Sequence, residues 1–238
     1  MSTVLITGSA KGIGAAIAAL FADKGYNVIV NYNTSKEKAE ALCSKLNNAI
    51  AVQADVSKSS EVDRLFEIAE NTFGTVDILV NNAGIAQQKL FTDITDEDYD
   101  RMFDCNVRSV FNCCRRALPN MIHNKHGRII NISSMWGIAG ASCEVHYSAS
   151  KSAVVGLTKA LAKEVAPSGI TVNAVAPGVI DTEMNSCFDE ETMKQLENET
   201  PVGRIGTPED VARAVYFFAA ENSDFITGQV LGVDGGFI

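Results

Sequence analysis

The chain has no apolar run of the roughly 18 residues that a membrane helix needs. Its beginning, Met1-Ser2-Thr3-Val4-Leu5-Ile6, has neither a basic stretch nor a signal-length apolar segment, so a cytoplasmic location is expected. Positive charge is in short supply: 20 Lys and Arg stand against 29 Asp and Glu, for a formal net charge of −9. Nucleic-acid binders carry a basic footprint, so that class is excluded. Cysteine is sparse. Cys43, Cys105, Cys113, Cys114, Cys143 and Cys187 show no pairing rhythm, which excludes a disulfide framework. Adjacent Cys113 and Cys114 read as small core or interface residues in a reducing compartment. Proline is scarce, and no Pro-rich break, low-complexity linker or internal repeat divides the chain. One domain over 1–238 is the expectation. No stretch couples low apolar content with blocks of like charge, which excludes long disorder.

What is present is a 238-residue chain with 46% hydrophobic residues. Surface scaling lets a chain this long bury roughly 72% of its unfolded surface. Short apolar runs alternate with longer helical patterns. The runs are Val4–Ile6, Val28–Val30, Ile50–Val52, Asp77–Val80, Arg128–Ile132, Ile170–Val175 and Val230–Val233. Between them, helical spacing predicts helices from Ile13, over Lys36–Leu46 and over Ser59–Phe73. Most runs are apolar without clean alternation, as strands buried on both faces are. The pattern predicts a Rossmann-type α/β fold, a doubly wound parallel sheet of about seven strands with helices on both faces. In such a sheet ligands bind beyond the carboxyl ends of the strands, and the motifs of this chain fall just after its apolar runs.

The first is Thr7-Gly8-Ser9-Ala10-Lys11-Gly12-Ile13-Gly14, between a strand and a helix. Glycines at these positions permit a tight turn and close approach of a ligand, and free N–H groups at the helix start suit a pyrophosphate. The spacing G-x-x-x-G-x-G resembles the short-chain dehydrogenase/reductase family. More of that family's pattern follows in order: Asn81-Asn82-Ala83-Gly84, Ser134, Tyr147-x-x-x-Lys151 and Pro177-Gly178. The resemblance covers essentially the whole chain. It implies that Gly8, Ser9, Gly12, Ile13 and Gly14 form the cofactor turn. It also implies that Asn82, Ala83 and Gly84 line the cofactor floor, and that Pro177, Gly178, Ile180 and Thr182 hold the nicotinamide end.

An acidic residue about 20 residues past the glycines would bind the ribose hydroxyl of NAD. The window Asn31–Ser35 has none. Lys11 sits in the turn, and Asn33, Thr34 and Ser35 offer donors to a 2′-phosphate, so NADP(H) is the expected cofactor. The alternative is that Lys11 is merely solvated. Asp55 and Val56 resemble the family pair that meets the adenine, although Asp55-Val56-Ser57 reads equally well as a helix cap.

Tyr147 and Lys151 are four apart on a predicted helix and share a face. Hydride transfer to a carbonyl carbon puts charge on oxygen, which a positioned acid must protonate. A free tyrosine titrates near pH 10, and a nearby ammonium is expected to lower that value. The resemblance implies that Tyr147 is the acid/base and Lys151 its electrostatic partner and a ribose ligand. It further implies that Ser134 bonds the substrate oxygen and that Asn106 positions a relay water. Read alone, Asn106 is also a plausible buried amide. Ser133 competes with Ser134, and the spacing to Tyr147 favours Ser134. Cys143-Glu144-x-His146 lacks a third orienting group for a thiol nucleophile. His123-x-x-His126 reads as a solvated helix end, and no metal is required.

Within the family the chain resembles 3-oxoacyl-[acyl-carrier-protein] reductases through His126–Ile130, Gly169–Asn173 and Ile226–Gly228. Carrier docking there uses two basic positions. One is Lys125, whereas the other falls on uncharged Ser168. A substrate lid is expected over 181–204, and its stretch from Asp181 to Glu199 carries Asp181, Glu183, Asp189, Glu190, Glu191, Glu197 and Glu199 against only Lys194. A lid this acidic repels an acidic carrier and attracts a cation, unless it is simply a solvated helix. Gln87–Asp93, Met135–Gly137 and Ser142–His146 resemble instead a Firmicute branch that reduces a 5-aminopentanone group on a lysine of elongation factor P. Glu144, His146, Gln87, Gln88 and Trp136 are then candidate specificity residues. A reading of another class is a non-catalytic dinucleotide sensor or scaffold. The family is usually tetrameric, which implies interfaces near Tyr99–Leu118, Ser148–Ala166 and Gly228–Ile238, with Cys113, Cys114 and Phe237-Ile238 buried in them.

Overall fold

In the computed structural model, residues 1–185 and 189–238 are described; Cys187 and the middle of the expected lid lie outside them. Seven strands form one sheet: β1 (Thr3–Ile6), β2 (Asn27–Tyr32), β3 (Ala49–Gln53), β4 (Ile78–Asn81), β5 (Gly127–Ile132), β6 (Ile170–Pro177) and β7 (Val230–Val233). Their order is β3-β2-β1-β4-β5-β6-β7, and every pairing is parallel. The helices are α1 (Gly12–Asp23), α2 (Lys36–Cys43), α3 (Ser59–Phe73), α4 (Asp96–Phe103), α5 (Ser109–Asn124), α6 (Val145–Val165), α7 (Glu190–Glu199) and α8 (Pro208–Ala219).

Two cores explain why the strands look uniformly apolar. Val4 and Ile6 of β1 pack with Ile17, Phe21, Val211 and Val215, on the face covered by α1 and α8. Leu5, between them, packs with Leu65, Phe66, Val110 and Cys113, on the face covered by α3 and α5. Strand side chains alternate faces, and here both faces are dry. Cys113 and Cys114 belong to this second core and are buried by the chain itself. The expectation that they suit a subunit interface is therefore corrected: they point inward on α5. Helix α2 ends at Cys43 rather than Leu46, because the chain turns there and Asn48 adopts φ 51°.

The sheet order reverses between β1 and β4, so the crevice beyond their carboxyl ends is the topological switch point. The glycine turn follows β1, Asn82–Gly84 follow β4 and Ser134 follows β5. All three therefore reach the same edge.

Candidate active site

The glycine turn is built by close approach. Gly8 has φ +61°, and a β-carbon on it would lie 2.9 Å from the Ala83 Cα. One on Gly14 would lie 2.6 Å from Asn82 Nδ2 and 2.7 Å from the Ser9 Cα. Asn82 is the strut behind the turn: its Nδ2 donates to the carbonyls of Thr7 at 2.9 Å and Gly8 at 3.0 Å. Thr7 Oγ1 accepts from the N–H groups of Asn82 and Ala83. From the other side the Gly8 N–H donates to Asn31 Oδ1 at 3.1 Å, a brace that sequence reasoning did not identify. Ser9 is fully buried, and its hydroxyl donates to the Ile6 carbonyl at 2.7 Å, so it stiffens the turn from within. The start of α1 has no side-chain cap and no acid in its first turn. That leaves it suited to an anion.

The reactive groups gather beyond β5. Ser134 caps the short turn Met135–Gly137 by accepting from the Trp136 N–H at 3.1 Å, and its hydroxyl stands near enough to the Tyr147 phenol to favour its ionised form. Ser133 is otherwise engaged, since its hydroxyl donates to the Lys151 carbonyl. Lys151 Nζ lies 5.8 Å from the centre of the Tyr147 ring and donates to the Ile132 carbonyl at 3.0 Å. Gly84 gives these groups room: a β-carbon there would lie 3.2 Å from Lys151 Nζ and 3.1 Å from Asn106 Oδ1.

Asn106 sits in a π-helical segment, Asp104–Arg108, between α4 and α5. Such segments mark places where a helix is re-aimed. Its Oδ1 accepts from the Ile85 N–H at 2.8 Å, and its Nδ2 donates to the Ile85 carbonyl and to Ser150 Oγ, each at 3.0 Å. Ser150 in turn donates to the Tyr147 carbonyl at 2.7 Å. Asn106 thereby braces the first turn of α6, where Tyr147 resides.

Burial governs the protonation of this group. It pushes the Tyr147 phenol up to about 12, against the downward pull of the nearby Ser134 hydroxyl and with a further push from the Glu144 carboxylate. It draws Lys151 down to about 8, opposed by the Cys105 thiol. The expected lowering of Tyr147 by Lys151 is therefore corrected. The ammonium lies over the ring, bonded to Ile132, and both side chains are desolvated, which favours their neutral forms.

A family model described as "Enoyl-(Acyl carrier protein) reductase" matches residues 8–238. The 3-oxoacyl-[acyl-carrier-protein] reductase FabG of Staphylococcus aureus (strain Mu50) is 41% identical over 238 residues, 98% of this chain and 97% of that protein. The chain belongs to the short-chain dehydrogenase/reductase family. "Uncharacterized oxidoreductase YmfI" of Bacillus subtilis (strain 168) is also 41% identical, over 99% of this chain and 98% of that one. A solved structure of ElxO with NADP bound superposes with a TM-score of 0.92 at 37% identity, covering 99% of this chain and 98% of the other.

Around the short-chain dehydrogenase/reductase centre, the remaining candidates divide by what their side chains already hold. Asp55 accepts from the Ser57 N–H and hydroxyl, which makes it the turn-former ahead of α3, and neighbouring Val56 is buried. Asn33 and Thr34 are exposed and Ser35 half-buried before α2. Thr182 lies against the glycine turn, 3.5 Å from where a Gly12 β-carbon would be. Gly178 packs on Asp234, and Ile180 is buried and bridged to Gly206. His146 is buried and bonded to Gln87 at 3.0 Å, and Gln87 donates to Asp98, which Lys89 also holds at 2.6 Å. His146 and Gln87 are thus structural, whereas Glu144 is half-buried and bonded to exposed Gln88 at 3.2 Å. Trp136 meets Phe237 edge-on at 5.8 Å. One charged residue near the turn escaped the sequence reading, Lys38: Glu183, expected only as one of the lid's acids, forms ion pairs with both Lys11, at 2.8 Å, and Lys38.

Proposed function

We propose that this chain is an NADPH-dependent carbonyl reductase in which Tyr147 protonates the oxygen of a ketone. The observation that carries the reading is the convergence of Ser134, Tyr147 and Lys151 beside Gly84, at the edge where the glycine turn opens. The turn Gly8–Gly14, with Asn82 as its strut, holds the pyrophosphate against the first turn of α1. Lys11, Asn33, Thr34 and Ser35 would receive the 2′-phosphate, Asp55 and Val56 the adenine, and Ala83 and Gly84 would form the floor. Pro177, Gly178, Ile180 and Thr182 border the nicotinamide end. NADPH, when bound, supplies the hydride.

The side chains handle the oxygen. Ser134 donates to it, and Tyr147, held protonated by burial, delivers its proton as charge develops. Lys151 in its charged form stabilises the phenolate left behind. Asn106, through Ser150, fixes the turn of α6 that aims the phenol, and in this reading it positions the water through which solvent returns a proton to Tyr147.

The substrate reading is a 3-oxoacyl thioester on a carrier protein, supported by the printed name of the Staphylococcus aureus relative. Lys125 and Ser168 lie just before β5 and β6, at the amino edge of the sheet, with the Lys125 carbonyl close to Gly169. A carrier docked there faces away from Tyr147 of the same protomer, so this reading joins to a homotetramer in which one copy docks the carrier for another. Exposed Tyr99 and Phe111 on α4 and α5, and Leu231 and Ile238 near the C-terminus, suit such contacts. A second reading, a ketone bearing an amine, is favoured by Glu144, a half-buried carboxylate within electrostatic reach of Tyr147.

NADPH consumption with an acetoacetyl pantetheine-type thioester, beside a small aminoketone, decides between them. Robust thioester turnover is the expected result. Selective aminoketone turnover, lost in Glu144→Gln, would replace it with the second reading. Turnover of neither would leave the dinucleotide-sensing alternative.

A further inference from the structure

Two cations from separate elements meet on one carboxylate at the rim of the glycine turn. Lys11 precedes α1 and Lys38 lies in the first turn of α2, and each takes a different oxygen of Glu183. Glu183 opens the short turn Glu183–Asn185. That turn is anchored at its base: the Asp181 N–H donates to the Gly206 carbonyl at 2.9 Å, and Asn185 Nδ2 donates to the Ile180 carbonyl at 2.7 Å. Its neighbour Thr182 rests against Gly12. The carboxylate therefore ties the first turn of the expected lid to the glycine turn and to the first turn of α2, which follows Asn33, Thr34 and Ser35.

The three charged side chains are 51%, 52% and 54% exposed, so an anion from solvent reaches them directly. Exposed ion pairs are weak and readily exchanged. A phosphate monoester carries about −1.5 to −2 charge and three acceptor oxygens, more than a carboxylate offers to the same two ammonium groups.

We propose that Lys11 and Lys38 together form the seat of the cofactor's 2′-phosphate, and that Glu183 is the competing anion which that phosphate displaces. Binding of NADP(H) then removes the hold of the two lysines on the turn at Glu183–Asn185, while a dinucleotide without the phosphate leaves that hold in place. Lys38 becomes a specificity residue for the phosphorylated cofactor, and Glu183 a coupler between cofactor and lid. This inference rests on the NADP(H) reading above.

The test measures dissociation constants for NADPH and NADH by calorimetry, with hydrogen exchange followed over residues 181–185. In the wild-type chain, NADPH binding at least about tenfold tighter than NADH is expected; equal affinities would overturn the NADP(H) reading itself. Lys38→Ala should weaken NADPH by about tenfold and leave NADH unchanged. Glu183→Gln should tighten NADPH by about threefold, leave NADH unchanged, and give the free protein the faster exchange that NADPH produces in the wild type. A phosphate preference that persists unaltered in both variants would overturn the proposal while leaving the cofactor reading intact. So would exchange over 181–185 that responds equally to NADPH and NADH.

Discussion

Two groups of charged and polar side chains border the same crevice under opposite regimes. Tyr147 and Lys151 are 8% and 5% exposed, and desolvation sets their protonation, up to about 12 and down to about 8. Lys11, Lys38 and Glu183 are about half exposed, and there attraction prevails: the two ammonium groups pull the Glu183 carboxyl down to about 2. The same kinds of groups are thus pushed toward their neutral forms by burial in one place and held as exchangeable ions in the other. Position relative to solvent, rather than residue type, decides which chemistry each can do.

Removing the phenol should separate the two regimes most sharply. Tyr147→Phe is expected to lower NADPH turnover by about a thousandfold while NADPH binding stays within about twofold; retained turnover would show that the buried group is not the acid. Next in size is the turn that joins the two groups. Gly14→Ala would press a β-carbon onto Asn82 and the Ser9 backbone. Urea unfolding should register a loss of about 2–3 kcal/mol. Asn106→Ala should cost about 1–3 kcal/mol by leaving Ile85 and Ser150 without their partner. A loss confined to stability with turnover intact would remove Asn106 from the bracing of Tyr147.

The smallest effect is one of pH. Lys151 titrates near 8 in the free protein and near 10.4 unfolded. Folding therefore disfavours its charged form, a penalty complete below about pH 8 and relieved as pH rises toward about 10. Lys151→Met should raise the melting temperature of the free protein most at pH 7 and progressively less up to pH 10. A difference independent of pH would mean that Lys151 is better solvated than its burial implies.

The strands were legible because both faces of the sheet are dry, so each became an apolar run between turn residues. Ser59–Phe73 matches its expected bounds because its apolar residues recur at helical spacing along one buried face, and Val230–Val233 matches although this edge strand is not dry and its Leu231 is exposed. Gly8, Gly14, Ser134, Tyr147 and Lys151 were legible through local spacing and the strand-then-helix context. The ion pair of Lys38 with Glu183 was not, because it joins exposed residues 145 positions apart and exposed charges leave no periodic trace. Nor was the π-helical segment at Asn106, since one extra residue per turn has no composition of its own. His146 and Gln87 read as specificity residues through the resemblance, but their hydrogen bonds depend on Lys89 from the loop after β4 and Asp98 from α4, which no local pattern brings together.

The single tryptophan has a consequence for watching this molecule work. Trp136 stands two residues from Ser134 and meets Phe237, the penultimate residue, edge to face. One indole therefore reports on both the reactive serine's turn and the docking of the chain's last residues. Its emission is a built-in optical gauge for events that join the segment after β7 to the turn that carries Ser134.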